Sequence, residues 1–446
     1  MTFTVSEQEN KVALERVHEA GVEFVHLWFT DVLGFLKTMV LTVDELEKAL
    51  VEGMGFDGSA IQGFARAVES DMIALPDPAT LQIQKWRQTE EMIAIMLCNI
   101  VTPDEKPFEG DPREVLKRQL RRAADLGYTV FIGPELEFFY LSDGDEPEVL
   151  DQAGYFDQSV RDMQFDLRSE TVRRLRDFGI DVEYSHHECA PSQHEIDLHY
   201  REALRMADQV IFYRMLVAET AAQHGVHATF MPKPLNDVAG SGMHVHLSMF
   251  AGENNVFFDP EGKFELSEMA LHFIGGLLKH ARSFALITNQ WVNSYKRLVP
   301  GYEAPVYISW ANQNRSALVR VPLHKPGKET STRVELRMPD PACNPYLAFA
   351  AMIAAGLDGI ENKIEPPKDL DFDVFDLSLE EIRERGIEVL PGDLCEAIAA
   401  FEGNEVMREA MGEQVTKYLI ANKRAEWEDF RTQVTQWELD RYLPRL

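Results

Sequence analysis

The chain has 446 residues, 45% of them hydrophobic and 26% charged, enough for two domains, or one large domain with an appendage, around ordinary cores. Its formal net charge of -30 argues against nucleic acid or an anionic membrane as partner, because phosphate surfaces are bound by clustered Lys and Arg. The longest apolar run, Tyr346 to Leu357, falls short of the ~20 residues of a spanning helix.

No signal-peptide pattern opens the chain. The four cysteines, Cys98, Cys189, Cys343 and Cys395, lie far apart without a Cys-x-x-Cys pair, so neither a disulfide framework nor a thiolate zinc site is indicated and a reducing cytoplasm fits. In chain order, Ser6-x-x-Glu9 reads as a capping box for a helix ending near Gly21. Strands over 22–30 and 35–41 form a hairpin around Asp31-Val-Leu-Gly34. A second capping box, Thr42-x-x-Glu45, predicts a helix closed by Gly53. A glycine-punctuated loop over 53–65 then carries Asp57, and a strand over 91–101 completes a small α+β unit. The Pro-rich, charged segment 102–110 is the candidate linker, which sets domains of 1–105 and 106–446. Asp111-Pro112 opens a helix that ends at Gly127.

From Phe131 to Leu141 an apolar strand carries two carboxylates at i and i+2. Side chains alternate along a strand, so Glu135 and Glu137 share one face while Leu136 and Phe138 point into a core. Like charges on a half-buried surface persist only beside something positive, and a divalent cation would serve. After a helix over 168–179, the segment 184–200 repeats the theme with Glu188 and Glu195. A long helix spans 201–224. Gly240-Ser-Gly-Met-His244-Val-His246-Leu-Ser248 and Arg333-Val-Glu335-Leu-Arg337 do so again. Four strand-like segments with ionisable groups on one face suggest a shared polar cavity, oxygen-rich and suited to Mg²⁺ or Mn²⁺. Arg297, Arg315, Arg320, Arg333 and Arg337 add planar forks for phosphate and carboxylate, and carboxylate-held metals beside arginines describe phosphoryl transfer.

These segments, with Phe56-Asp-Gly-Ser59, Gly133-Pro-Glu-Leu-Glu-Phe-Phe139, His186-His-Glu188, Lys233-Pro, Asn293-Ser-Tyr-Lys-Arg-Leu-Val-Pro-Gly-Tyr-Glu-Ala-Pro305, Asn314-Arg315 and Pro339-Asp-Pro, make the chain resemble a type I glutamine synthetase from about Val12 to its end. The resemblance implies an α+β protein: a small N-terminal β-grasp domain and a large C-terminal catalytic domain with a curved antiparallel sheet flanked by helices, as in guanidino kinases. It also implies a double ring of two hexamers, with active sites between subunits. Two or more Mg²⁺ or Mn²⁺ ions would be held by Glu137, Glu188 and Glu195 on the amino-acid side and by Glu135, His244 and Glu335 on the nucleotide side. Glutamate would meet Arg297, Arg337, His246 and the backbone at Gly240. ATP, as co-substrate, would meet Glu183, Ser248, Arg315, Arg320 and Arg333. Asp57 and Tyr155 would bind ammonium, Glu303 would close a flap over the site, and Arg66 would relay feedback by glutamine.

Departures from the family pattern are Ala60 after Phe-Asp-Gly-Ser, Ala239 before Gly-Ser-Gly-Met-His, a long loop between Arg320 and Arg333, and Phe375 where the adenylylated subtype has a tyrosine. The short Glu188 to Glu195 spacing and Gly63-Phe-Ala-Arg66 resemble the unadenylylated, feedback-inhibited subtype. The competing readings are a γ-glutamyl-amine ligase of the same superfamily, a guanidino phosphotransferase, and a non-catalytic structural or regulatory homologue.

Overall fold

The computed structural model describes residues 7–64, 71–85, 91–144, 146–158, 160–301, 304–312, 314–370, 372, 374, 377 and 379–446. Among these, the N-terminal part forms a six-stranded sheet in the order Leu36–Thr42, Phe24–Thr30, Met92–Val101, Asp71–Pro76, Met54–Asp57, with Gln82–Lys85 pairing Met92–Val101 off this path. Phe24–Thr30 and Met92–Val101 run parallel side by side, and their other neighbours are antiparallel. This is the β-grasp unit. The hairpin and the helix stop at Gly53 lie where the sequence puts them, Gly53 taking φ +70° after Leu46–Glu52.

Two local expectations fail. Thr42 precedes a short 3₁₀ turn with no side-chain cap bond, so the predicted capping box is absent; its extended backbone continues the strand it ends. The glycine-rich stretch around Asp57 is not all loop: Met54–Asp57 pairs with Asp71–Pro76, because a two-residue alternation survives among its glycines. Asp57 then caps a 3₁₀ turn, its carboxylate accepting from the Ser59 amide at 2.9 Å and hydroxyl at 2.7 Å.

Met92–Val101 is buried on both faces. Ala94, Met96, Cys98 and Ile100 pack in the small domain's own core, while Ile93, Ile95 and Leu97, with Trp28, join the core of the rest of the chain. The polar counterpart of this seam is Arg113, fully buried in the helix Pro112–Asp125. It bonds Asp77 (2.8 Å) and Asn99 (2.5 Å) from the small domain and both carboxylate oxygens of Asp208 from the large one. A bidentate guanidinium among carboxylates is the satisfied form of a buried charge.

The large domain is built on a ten-stranded sheet with seven strands in the order Trp310–Asn312, Val319–Val321, Val334–Leu336, Met243–Ala251, Thr129–Ser142, Gln193–Leu198, Val182–His187; off this path Arg201–Glu202 and Val226–Thr229 pair with Thr129–Ser142 and Asn254–Asn255 with Met243–Ala251, and all pairs but the first are antiparallel. Leu136 and Phe138 are fully buried on its back, against the helix Ala203–Gln223. Behind lie Glu268–Thr288 and Pro345–Glu361, packed so closely that a Cβ on Gly276 would sit 2.0 Å from the Ala355 carbonyl oxygen. No described helix is long and apolar enough to cross a membrane.

Candidate active site

The strand period puts every second side chain on the sheet's open face, and the register sorts them into rows. One row is Arg320, Glu335 and His246, a second His244, Glu135, Asp197 and Tyr184, a third Glu137, Glu195 and His186. Glu188 departs from expectation: Val182–His187 ends one residue before it, so it sits in the turn, its amide bonded to the Gln193 carbonyl at 2.7 Å. The turn still folds its carboxylate back toward His186, 3.6 Å from Nδ1.

These residues line two adjoining cavities that share Glu135 and Tyr184. The first, of about 160 Å³, takes in Glu137, Tyr155, His186, Glu188, Glu195, Ala239, Gly240, His244, Arg297, Arg315, Arg320 and Arg337. The second, of about 210 Å³, is lined by Glu183, Asp197, His246, Ser248 and Arg333. His246, expected with glutamate, thus belongs to the second cavity, where Nε2 meets Glu135 at 2.6 Å and Nδ1 accepts from Arg333 at 3.2 Å.

The two ends of the face differ electrostatically. Glu335 is buried and Glu135 half-buried, which raises a carboxyl's pKa, yet both are held below the ordinary range, Glu135 by His246 and His244 and Glu335 by His246 and Arg337. Arg320 Nε and Arg337 Nη1 bond the two oxygens of Glu335 at 2.5 and 2.7 Å. His244 is pushed down to about 4 by burial and then by Arg337, leaving a neutral imidazole beside Glu135 and Glu335. At the other end, burial and mutual repulsion raise Glu137, Glu195 and Asp197: Glu137 faces Glu188, Glu195 faces Asp197, Asp197 faces Glu135.

That excess of buried acid fits divalent cations, whose charge offsets what the protein leaves uncompensated. Glu135, His244 and Glu335 come together within 4.8 Å. The expected partner set does not form one group: Glu195 is shared between Glu137–Glu195–His244 and His186–Glu188–Glu195.

Arg297 is fixed rather than free, donating to the carbonyls of Met338 (2.7 Å), Pro339 (3.1 Å) and Arg337 (3.2 Å). Two close approaches, one of them by Arg297, explain the glycines of Gly240-Ser-Gly242. A Cβ on Gly242 would lie 2.5 Å from Arg297 Nη2, and one on Gly240 would lie 2.2 Å from the Pro232 carbonyl oxygen. Arg315 lies over the Tyr155 ring at 5.8 Å. Asp57 lines neither cavity. Arg66, Glu303 and Phe375 lie outside the described residues.

Gln193, Asp197 and His186 were not singled out as site residues. Gln193 Nε2 donates to Glu137 (2.9 Å) and to the Gly240 carbonyl (3.1 Å), tying a carboxylate to the glycine loop. The signal was present: Gln193, Glu195 and Asp197 alternate as Glu135 and Glu137 do. His186 Nε2 lies 3.0 Å from Glu195.

The catalytic-domain model of glutamine synthetase matches residues 109–442 and the glutamine synthetase β-grasp domain model matches 21–103. The chain is 48% identical to the glutamine synthetase of Mycolicibacterium smegmatis over 98% of its length and 99% of that protein's. It is 48% identical to that of Methanosarcina mazei over 97% of each. The fold is also that of the solved GmaS structures, with TM-scores of 0.86 without ligand (96% of this chain, 99% of that one) and 0.88 in the ADP complex (97% and 99%), at 34% identity in both. Matched by both domain models and by relatives over nearly its whole length, the chain belongs to the glutamine synthetase family and is an enzyme of that family.

Proposed function

We propose that the enzyme ligates ammonium to the γ-carboxyl of L-glutamate, driven by ATP, to give glutamine, ADP and phosphate. The observation that carries this reading is the pair of adjoining cavities: one rich in buried carboxylates and arginines, the other polar and wider, meeting at Glu135. A carboxylate is a poor electrophile, so its γ-oxygen first takes the terminal phosphoryl group of ATP, with ADP leaving. Ammonia then attacks the carbonyl carbon of the acyl phosphate, and phosphate leaves.

Glu137, Glu188 and Glu195 on one side, and Glu135, His244 and Glu335 on the other, would hold Mg²⁺ or Mn²⁺, which when bound neutralise the phosphates and polarise the transferred group. Arg297 and Arg337, with the backbone at Gly240, would orient glutamate in the first cavity. Arg315, Arg320 and Arg333, with Glu183 and Ser248, would orient ATP, and planar guanidiniums stabilise charge that spreads over the phosphoryl oxygens. His246 fits the nucleotide side of this division. Asp57 would accept the proton of ammonium, since only NH₃ is a nucleophile. Because Asp57 lines neither cavity of its own chain, we assign it to the site of a neighbouring subunit in a double hexameric ring. Glu303 would keep water from the acyl phosphate, and Arg66 is the candidate relay for glutamine feedback.

A second reading, γ-glutamyl-amine ligation, is favoured by the likeness to GmaS and by Ala60, whose missing hydroxyl removes a polar contact near Asp57. Glutamate-dependent ADP release measured with ammonium, methylamine, ethylamine and putrescine at matched free-amine concentrations separates the two. Ammonium is expected to give the highest kcat/KM, and a higher value with any alkylamine would transfer the conclusion to the second reading.

A further inference from the structure

Behind the first cavity lies a second buried polar cluster, Asp151, His187, Ser192 and His194, that the proposed chemistry does not use; all four are at most 5% exposed. Its three acid and imidazole side chains lie close enough to hold a metal ion, but their protons are wrongly placed for one. His187 donates from Nδ1 to the Glu188 carbonyl at 2.8 Å and from Nε2 to Asp151 Oδ1 at 3.0 Å. Arg168 donates to His194 Nδ1 at 2.7 Å, which puts the imidazole proton on Nε2. With both His187 nitrogens and His194 Nδ1 engaged in hydrogen bonds, this arrangement leaves no imidazole lone pair for a metal ion.

What it does hold is backbone. Asp151 Oδ1 also accepts from the Ser192 amide at 2.7 Å, and Ser192 Oγ accepts from the amides of Leu150 and Asp151 at 2.6 and 3.2 Å. The carbonyl of His187 takes the amide of Phe156 at 3.0 Å. The Phe156 ring stacks on His186 at 4.1 Å and 16°, and Tyr155 sits edge-on to His186 at 5.6 Å. Ser192 and Phe156 both carry left-handed backbone, φ +62° and +58°, which residues with a side chain adopt only when their surroundings impose it. The segment 150–156 is therefore laced at both ends to the hairpin that bears His186, Glu188 and Glu195. Tyr155 is 45% exposed; its ring rests on Phe156 and His186 and under Arg315, and its backbone is carried by that lacing.

We infer that Asp151 and His187 are positioning residues for the acceptor amine: they set where Tyr155 stands over the Glu188 end of the cavity, without touching substrate. The inference rests on the proposed ligation of ammonium and on the expectation, from the family resemblance, that Tyr155 shares the amine with Asp57. Asp151→Asn in the full, assembled enzyme keeps an acceptor oxygen for the His187, Ser192 and Ala153 donors that Oδ1 takes, but removes the negative charge facing the His187 imidazole. One lost charge-assisted bond is expected to raise the ammonium KM about tenfold, with the KM values of glutamate and ATP held within about twofold. The same substitution made on Tyr155→Ala is expected to add nothing further to the ammonium KM, because the residue it acts through is gone.

A full effect of Asp151→Asn in the Tyr155→Ala background overturns the inference. So does a fall in kcat with all three KM values unchanged, the signature of a fraction of enzyme lost to misfolding. Should Asp151→Asn fail to assemble, Ser192→Ala, which removes only the hydroxyl tether to Leu150 and Asp151, carries the same comparison and the same two refuting outcomes. Failure of the functional reading itself shows separately, as wild-type enzyme that does not release ADP with glutamate and ammonium.

Discussion

Glu335 is the sharpest place to separate metal binding from packing, because the structure gives it both tasks. Its carboxylate is 0% exposed, bonded by Arg320 at 2.5 Å and Arg337 at 2.7 Å, with His244 Nδ1 at 3.8 Å. Truncation in Glu335→Ala strips both guanidiniums of their partner, and breaking a buried ion pair costs roughly 3–5 kcal/mol, so this variant loses stability as well as activity. Glu335→Gln keeps the volume and one acceptor oxygen. Its stability cost is about 1–3 kcal/mol, one charge-assisted hydrogen bond, while the anionic ligand is gone. We expect glutamate-dependent ADP release in Glu335→Gln to fall at least about hundredfold in a protein that still assembles. Thermal denaturation with Mn²⁺ tests the cause directly. A cation at about 100 times its Kd stabilises the wild type by roughly 2.7 kcal/mol, and most of that increment should vanish in the variant. If Glu335→Gln keeps more than about a tenth of wild-type activity, or an undiminished Mn²⁺ shift, the carboxylate serves the arginines alone and the ligand assignment fails.

Glu137→Ala should abolish ADP release while light scattering still reports the wild-type assembly. Retained activity would remove Glu137 from the ligand set, leaving only its bonds to Gln193 and the Gly242 amide. Asp111, whose carboxyl burial raises to about 6 from 3.8, stabilises the fold most below its unfolded pKa, and that contribution is lost as pH rises through 6. Denaturant titrations should therefore show the stability of Asp111→Asn relative to wild type improving by about 1–2 kcal/mol between pH 5 and pH 8; a pH-independent difference would refute the shift. Ala60→Ser restores a hydroxyl near Asp57 and is expected to lower the ammonium KM by up to about tenfold, with an unchanged KM counting against any polar role for that position.

Much of this architecture is legible from periodicity and punctuation. Glu135 and Glu137 share a face because strands alternate, Leu136 and Phe138 are buried for the same reason, and Gly53 ends its helix in the left-handed conformation that glycine tolerates. Register is another matter. That Glu137 sits opposite Glu195, and Glu135 opposite Asp197, depends on the hairpin closing with Glu188 in the turn, and no local residue choice announces it. Gln193 and Asp197 are not distinguished by the sequence alone, because an isolated amide or carboxylate on a strand is ordinary until the opposite strand is known.

Arg113 shows the limit more sharply, since a helix arginine beside a proline-capped start reads as solvent-facing, whereas its partners Asp77 and Asp208 lie 36 and 95 positions away. The same long-range pairing gives the open face its polarity of charge. His246 and His244 lower Glu135, and His246 and Arg337 lower Glu335, while among the described residues the neighbours of Glu137, Glu195 and Asp197 leave these carboxyls raised. Were divalent cations bound as proposed, they would meet two different environments: Glu135 and Glu335, held ionised by neighbouring imidazole and guanidinium groups, and Glu137 and Glu195, whose carboxyls burial and mutual repulsion raise.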